Sequence, residues 1–153
     1  MKGKYTMISR CLNILKTKKS CVTFSPAEDK NINLINTMLA DNGFSELPDE
    51  YKVFLKLSDG FIYNGLELYG TTTHNRKEKG YVFPDLASIA KTYADYDFFR
   101  NKTVLGRISE SIIFYDKQSD SYAVADRINL LSRAEYPTFS DIMQIYMEKE
   151  DVT

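Results

Sequence analysis

Thr103-Val104-Leu105-Gly106-Arg107-Ile108, Ser111-Ile112-Ile113-Phe114-Tyr115 and Ser121-Tyr122-Ala123-Val124-Ala125 are three short runs rich in β-branched and aromatic residues. Such residues suit a pleated, half-buried surface. The runs are separated by Ser109-Glu110 and by Asp116-Lys117-Gln118-Ser119-Asp120, whose composition is that of turns. They read as an antiparallel meander, which Ile128 to Leu131 is expected to extend.

Upstream of the meander the apolar period changes to that of helices. Asp85 to about Phe98 places Leu86, Ile89, Ala90 and Tyr93 inward, and residues 71 to 80 (TTTHNRKEKG) read as a polar loop. Leu66 to Tyr69 reads as a strand. Pro48 to Ser58 carries Asp49 and Glu50 in its first turn, Lys56 in its last, and Tyr51, Phe54 and Leu55 on one face; Gly60 is the natural left-handed terminator. Ser25-Pro26-Ala27-Glu28 reads as a capping box that opens a helix to about Asp41, ended by Asn42-Gly43. Residues 5 to 18 form a weak amphipathic helix. Downstream, Thr138 is the expected N-cap of a closing helix from Phe139 to about Glu148. Helices, then a meander, then one more helix give an α+β fold, an antiparallel sheet with helices mainly on one face. One domain is expected, with residues 1–24 as a basic N-terminal helix and connector packed on residues 25–153.

Charge is unevenly placed. Residues 1–24 hold six Lys or Arg and no acid, whereas residues 25–153 hold 14 basic and 21 acidic residues and so carry −7. An acidic body argues against nucleic acid as the main partner, because phosphate binding needs clustered cations. Cys11 and Cys21 match neither a redox pair nor a zinc motif and read as reduced thiols of a cytosolic protein. No run is apolar enough for a membrane span.

Chemistry-bearing constellations are sparse, and the reading is of a non-enzyme with no metal and no cofactor. The single histidine, His74, sits in the polar loop without a nucleophile motif and reads as a surface residue. Gly60 and Gly65 have phosphate-loop spacing, but Leu66 and Glu67 stand where that loop needs Lys and Ser or Thr. Asp95 with Asp97, and Asp116 with Asp120, are carboxylate pairs of the type a hydrolase would use. A stronger signal is Tyr93-Ala94-Asp95-Tyr96-Asp97-Phe98-Phe99, where rings that do not enter the core would reach solvent beside acids, a composition suited to an interface.

Leu47-Pro48-Asp49-Glu50-Tyr51-Lys52-Val53-Phe54-Leu55, then Asp59-Gly60, then Leu66-Glu67-Leu68-Tyr69-Gly70 resembles the diagnostic stretch of the SUKH superfamily. There a Leu-Pro opens a helix with Tyr and Phe-Leu buried, a polar residue and Gly end it, and a strand with a terminal aromatic follows. Asp59 departs from the Asn common at that place. The resemblance covers about residues 25 to 148. It implies a non-enzymatic, protein-binding role: an immunity protein that neutralises a cognate bacterial toxin, such as a basic nuclease domain, by occlusion. The alternatives are a scaffold-like regulator of cell-wall glucan synthesis and a carboxylate-dependent hydrolase. The expected partner-binding residues are Asp59, Tyr63, Glu67, Tyr69, Tyr93, Asp95, Tyr96 and Asp97.

Overall fold

The computed structural model describes residues 2–76 and 79–151; Lys77 and Glu78 of the segment read as a polar loop lie outside the described residues, as do Met1, Val152 and Thr153. The elements run α1 (Lys2–Lys16), β1 (Val22–Thr23), α2 (Asp29–Asp41), α3 (Asp49–Leu57), β2 (Phe61–Tyr63), β3 (Leu66–Leu68), β4 (His74–Arg76), β5 (Tyr81–Phe83), α4 (Leu86–Thr92), a 3-10 turn (Asp97–Phe99), β6 (Lys102–Ile108), β7 (Ser111–Asp116), β8 (Ser121–Asp126), β9 (Arg133–Tyr136) and α5 (Phe139–Lys149). A seven-stranded sheet in the order β1-β2-β3-β6-β7-β8-β9 pairs antiparallel throughout, and β4 with β5 forms a separate hairpin. The fold is α+β.

Neighbouring residues on a strand point to opposite faces, and the two faces are covered differently. Tyr115 and Tyr122 pair across β7 and β8 on one face, and Tyr122 lies 6.0 Å from the α5 residue Phe139. Phe139 in turn contacts Tyr51 edge-on at 5.3 Å, so α3 and α5 share this face, and α1 packs against both through Ile8, Leu12 and Leu15. The Tyr51 hydroxyl, fully buried, donates toward the carbonyls of Tyr69 (2.5 Å) and Leu105 (3.0 Å), stitching α3 to the sheet. Phe114 points to the opposite face, where Phe98 and Phe99 of the 3-10 turn meet its ring edge-on at 5.5 and 5.9 Å.

Four readings of the chain need correction. The capping box at Ser25 does not form: the Ser25 carbonyl accepts from Asp59 N–H (3.1 Å) and Ala27 N–H donates to Leu55 (2.9 Å), which holds the segment extended, and the helix begins at Asp29. The segment read as a polar loop contains β4. The helix expected to reach Phe98 stops at Thr92, because Phe98 and Phe99 are drawn onto the sheet; aromatic and Asp residues give weak helix propensity to oppose this. Ile128 to Leu131 does not extend the meander. The Asp126 carboxylate accepts from the N–H groups of Ile128 (2.8 Å) and Asn129 (2.9 Å), which turns the chain out of β8, and the last strand starts only at Arg133.

Candidate interaction surface

The surface grows from α4. Asp85 caps this helix by accepting from Ser88 N–H at 2.9 Å, and β6 runs beside it. Past the helix end, Tyr93 is half-buried, 4.7 Å from Phe99 and T-shaped to Tyr96 at 5.9 Å. Burial raises the Tyr93 hydroxyl above the ordinary tyrosine value, against the pull of the Arg127 and Arg107 guanidinium groups. Arg107 is opposite Glu67 in the β3–β6 register, and its Nε lies 3.6 Å from Glu67 Oε1. The Tyr69 hydroxyl is raised strongly, first by burial and then by Glu67, while Arg107 opposes. Arg127 is held by Glu110 at 2.9 Å.

The loop joining β8 to β9 is tied to this same side. Arg133 lies over the Phe98 ring at 5.9 Å and donates to the Leu130 carbonyl at 3.3 Å. Leu130 packs against the core, whereas Ile128 and Leu131 are 88% and 79% exposed. Tyr96 is 55% exposed although its ring also meets Tyr93 and Phe99; with Ile128 and Leu131 it is among the exposed large apolar side chains, which elsewhere include Leu34 on α2 and Val82 on β5.

The expected partner-binding residues therefore divide. Glu67, Tyr69, Tyr93 and Tyr96 are gathered near Arg107, and Asp95 and Asp97 stand exposed beside them. Tyr69 and Asp59 are each only 5% exposed and are corrected to structural residues. Tyr69 packs on Phe83 at 5.7 Å. Tyr63 is half-buried, and its carbonyl accepts from the Tyr146 hydroxyl of α5 (2.9 Å), on the other side of the sheet. Sequence reasoning missed Arg107, Arg127, Ile128 and Leu131. Arg107 had a local signal, a charge in an otherwise apolar strand; the loop leucine and isoleucine had none, because apolar residues beside a strand are expected to continue it.

His74 is not a free surface residue. Its Nε2 lies 2.6 Å from the Asp59 carbonyl and 3.1 Å from Asp59 Oδ2, and its ring stacks on Phe24 at 3.9 Å. The same carboxylate accepts from Thr71 N–H (2.6 Å), Thr71 Oγ1 (2.9 Å) and Thr72 Oγ1 (2.9 Å). Both threonine hydroxyls are thus spent on Asp59 rather than poised against the imidazole, and the group works as a latch that holds the β4–β5 hairpin to the α3–β2 corner. The Asp116 and Asp120 pair is likewise engaged locally: Asp116 Oδ1 accepts from Gln118 N–H (3.0 Å) and Asp120 Oδ1 from the Tyr115 hydroxyl (2.7 Å). Among the described residues no group of three or more His, Cys, Asp or Glu could hold a metal ion, and no helix is long and apolar enough to cross a membrane.

No protein-family model matches the chain, and a comparison with curated proteins finds none that matches it.

Proposed function

We propose that the chain is a non-enzymatic protein-binding domain, an immunity protein of the SUKH type that occludes the working surface of a cognate toxin. The observation that supports the reading is the exposure of Tyr96, Ile128 and Leu131 on and beside the side of the sheet covered by the 3-10 turn. Large exposed apolar side chains grouped together, with charged residues around them, are the ordinary composition of an interface. Arg107 and Arg127 within the group are offset by Glu67 and Glu110, and Asp95 and Asp97 stand exposed at its edge, flanked in the chain by the exposed cations Lys91 and Arg100.

A nuclease toxin suits this surface because its active face must be cationic to hold phosphates. Residues 25–153 carry −7 and residues 1–24 carry +6, for −1 overall; because α1 packs on the α3 and α5 side, the excess of acids belongs to the rest of the surface, the complementary sign for local steering. Rim acids give association rate more than affinity, since salt screens them. Affinity falls to anchors such as Tyr96, about thirtyfold in dissociation rate for a hot-spot residue worth about 2 kcal/mol.

The test is to isolate the partner by affinity capture, then measure its own activity and its association rate against ionic strength. Stoichiometric loss of the partner's activity, a rate that falls with salt and with Asp95→Lys or Asp97→Lys, and faster dissociation for Tyr96→Ala are expected. A partner with an acidic binding face, or one whose activity is untouched in the complex, overturns the proposal.

A further inference from the structure

The sheet ends on β9, and the hydrogen-bond phase of that strand is fixed. Asp126 N–H donates to the Ser132 carbonyl at 3.0 Å, in the same ladder that pairs Ala125 with Arg133, Val124 with Ala134, Ala123 with Glu135 and Tyr122 with Tyr136. Hydrogen-bonded and non-hydrogen-bonded pairs alternate along an antiparallel ladder. Ala134 and Tyr136 therefore turn their backbone groups inward to β8, while Arg133 and Glu135 turn theirs outward to the open edge. Arg133, Ala134 and Glu135 are all exposed. Pro137 follows and, having no N–H, limits the outward donors of this edge to those of Arg133 and Glu135.

We propose that this edge pairs with the β9 edge of a second copy of the chain, antiparallel about a two-fold axis at Ala134, so that two seven-stranded sheets join into one. The strand is complementary to itself in that register. Arg133 of each copy falls opposite Glu135 of the other, and these are the residues whose backbone groups point outward, so both positions form hydrogen-bonded pairs. Within one chain Arg133 Nε already lies 3.1 Å from Glu135 Oε2, so in the paired edge each guanidinium sits between the carboxylate of its own chain and that of the other copy, and four charges alternate in sign on one face of the sheet. On the other face the closely spaced pair is alanine against alanine, which lets the backbones approach without a clash. Charged edges ordinarily discourage pairing. Here the two charges have opposite sign and alternate in the order that favours self-association, an isologous contact that closes at two copies.

The experiment is sedimentation of the full chain across a concentration series, with charge swaps. The parent should shift from monomer to dimer. Arg133→Glu alone or Glu135→Arg alone should weaken association by about tenfold or more, since each turns two attractions into two repulsions. The double variant Arg133→Glu with Glu135→Arg should restore it, and an equimolar mixture of the two single variants should form heterodimers. A readout that needs no variant is amide exchange: the Arg133 and Glu135 N–H groups should gain protection as concentration rises, while Ala134 and Tyr136 stay protected throughout. A parent that remains monomeric at millimolar concentration, a dimer indifferent to the single swaps, or Arg133 and Glu135 exchange that ignores concentration overturns the proposal.

Discussion

The Glu50 carboxylate, in the first turn of α3, accepts hydrogen bonds from the backbone N–H of Phe139 (2.9 Å) and of its neighbour Ser140 (3.2 Å), the first two residues of α5. Thr138 Oγ1 accepts from Asp141 N–H at 3.1 Å, so the opening N–H groups of α5 are satisfied by one side chain from afar and one from its own cap. Glu50 is 2% exposed, and a buried carboxylate of this kind is held by its partners rather than by water. Glu50→Ala leaves two buried donors without acceptors and should cost about 2–4 kcal/mol in urea unfolding. Thr138→Ala removes one cap bond and should cost about 1 kcal/mol. Equal costs would contradict the assignment of Glu50 as the main anchor of the helix.

Asp59 performs a similar task at the opposite corner, where it gathers Thr71, Thr72 and His74 beneath the hairpin. Asp59→Ala should destabilise by about 3 kcal/mol, whereas Thr72→Ala, which removes one of several donors, should cost about 1 kcal/mol. Limited proteolysis should show faster cleavage within residues 71–85 for the Asp59 variant while the meander stays intact. Uniform acceleration across the chain would instead assign Asp59 to the global core.

These two carboxylates mark where local reading of the chain stops working. The meander from Lys102 to Asp126 and the closing helix after Thr138 were legible because alternation, turns and caps are encoded within a few residues of where they act. The β2–β3 hairpin had such a code as well: Asn64-Gly65 joins Phe61–Tyr63 to Leu66–Leu68, with both turn residues at positive φ (41° and 83°), as a two-residue hairpin requires. Its second strand is legible in Leu66 to Tyr69, whereas Phe61–Tyr63 is too short for alternation to mark it as the partner. Glu50 and Asp59 carry no local mark of burial, since their donors come from 89 and 12 or more positions away. The surface was half legible for the same reason. Tyr93, Asp95, Tyr96 and Asp97 stand together in the chain, but Arg107, Ile128 and Leu131 reach them only through the sheet.

Alkali should unfold the protein over a narrow window. Burial is the leading cause that raises the hydroxyls of Tyr51, Tyr69, Tyr115 and Tyr146 above the ordinary tyrosine value; the Asp120 hydrogen bond adds to it at Tyr115 and Glu150 at Tyr146. Folded-state values above the unfolded value mean that the native state holds these protons longer. Their contribution is fully present below about pH 10 and is lost as pH rises beyond it, when the unfolded chain ionises first. Burial likewise raises the Cys11 and Cys21 thiols, so stability to urea should begin to decline gently near pH 9 and then fall steeply above about pH 10, with phenolate absorbance rising together with loss of structure. Phenolate absorbance beyond that of the exposed tyrosines such as Tyr81 and Tyr96, appearing well before unfolding, would show these four hydroxyls to be solvated.

Two glycines separate backbone strain from steric exclusion. Gly60 adopts φ +118°, and a Cβ there would sit 3.2 Å from the Phe83 ring and 3.3 Å from Leu68 O and the Phe24 ring. Gly60→Ala should therefore cost about 1–2 kcal/mol, from the conformation that L-residues avoid, with small movements of the rings absorbing the rest. Gly70 has no positive φ, but a Cβ would lie 2.3 Å from the Asp59 carbonyl oxygen and 2.7 Å from its carbon, against backbone that cannot rotate away. Gly70→Ala must push β3 from the α3–β2 corner and so strains the latch that Asp59 forms with Thr71. Its cost should be about 3 kcal/mol or more, at the upper end of overpacking penalties. In a double-mutant cycle with Asp59→Ala the two losses should fall short of adding by 1 kcal/mol or more, because both act on the same contact. Full additivity would place the strain elsewhere.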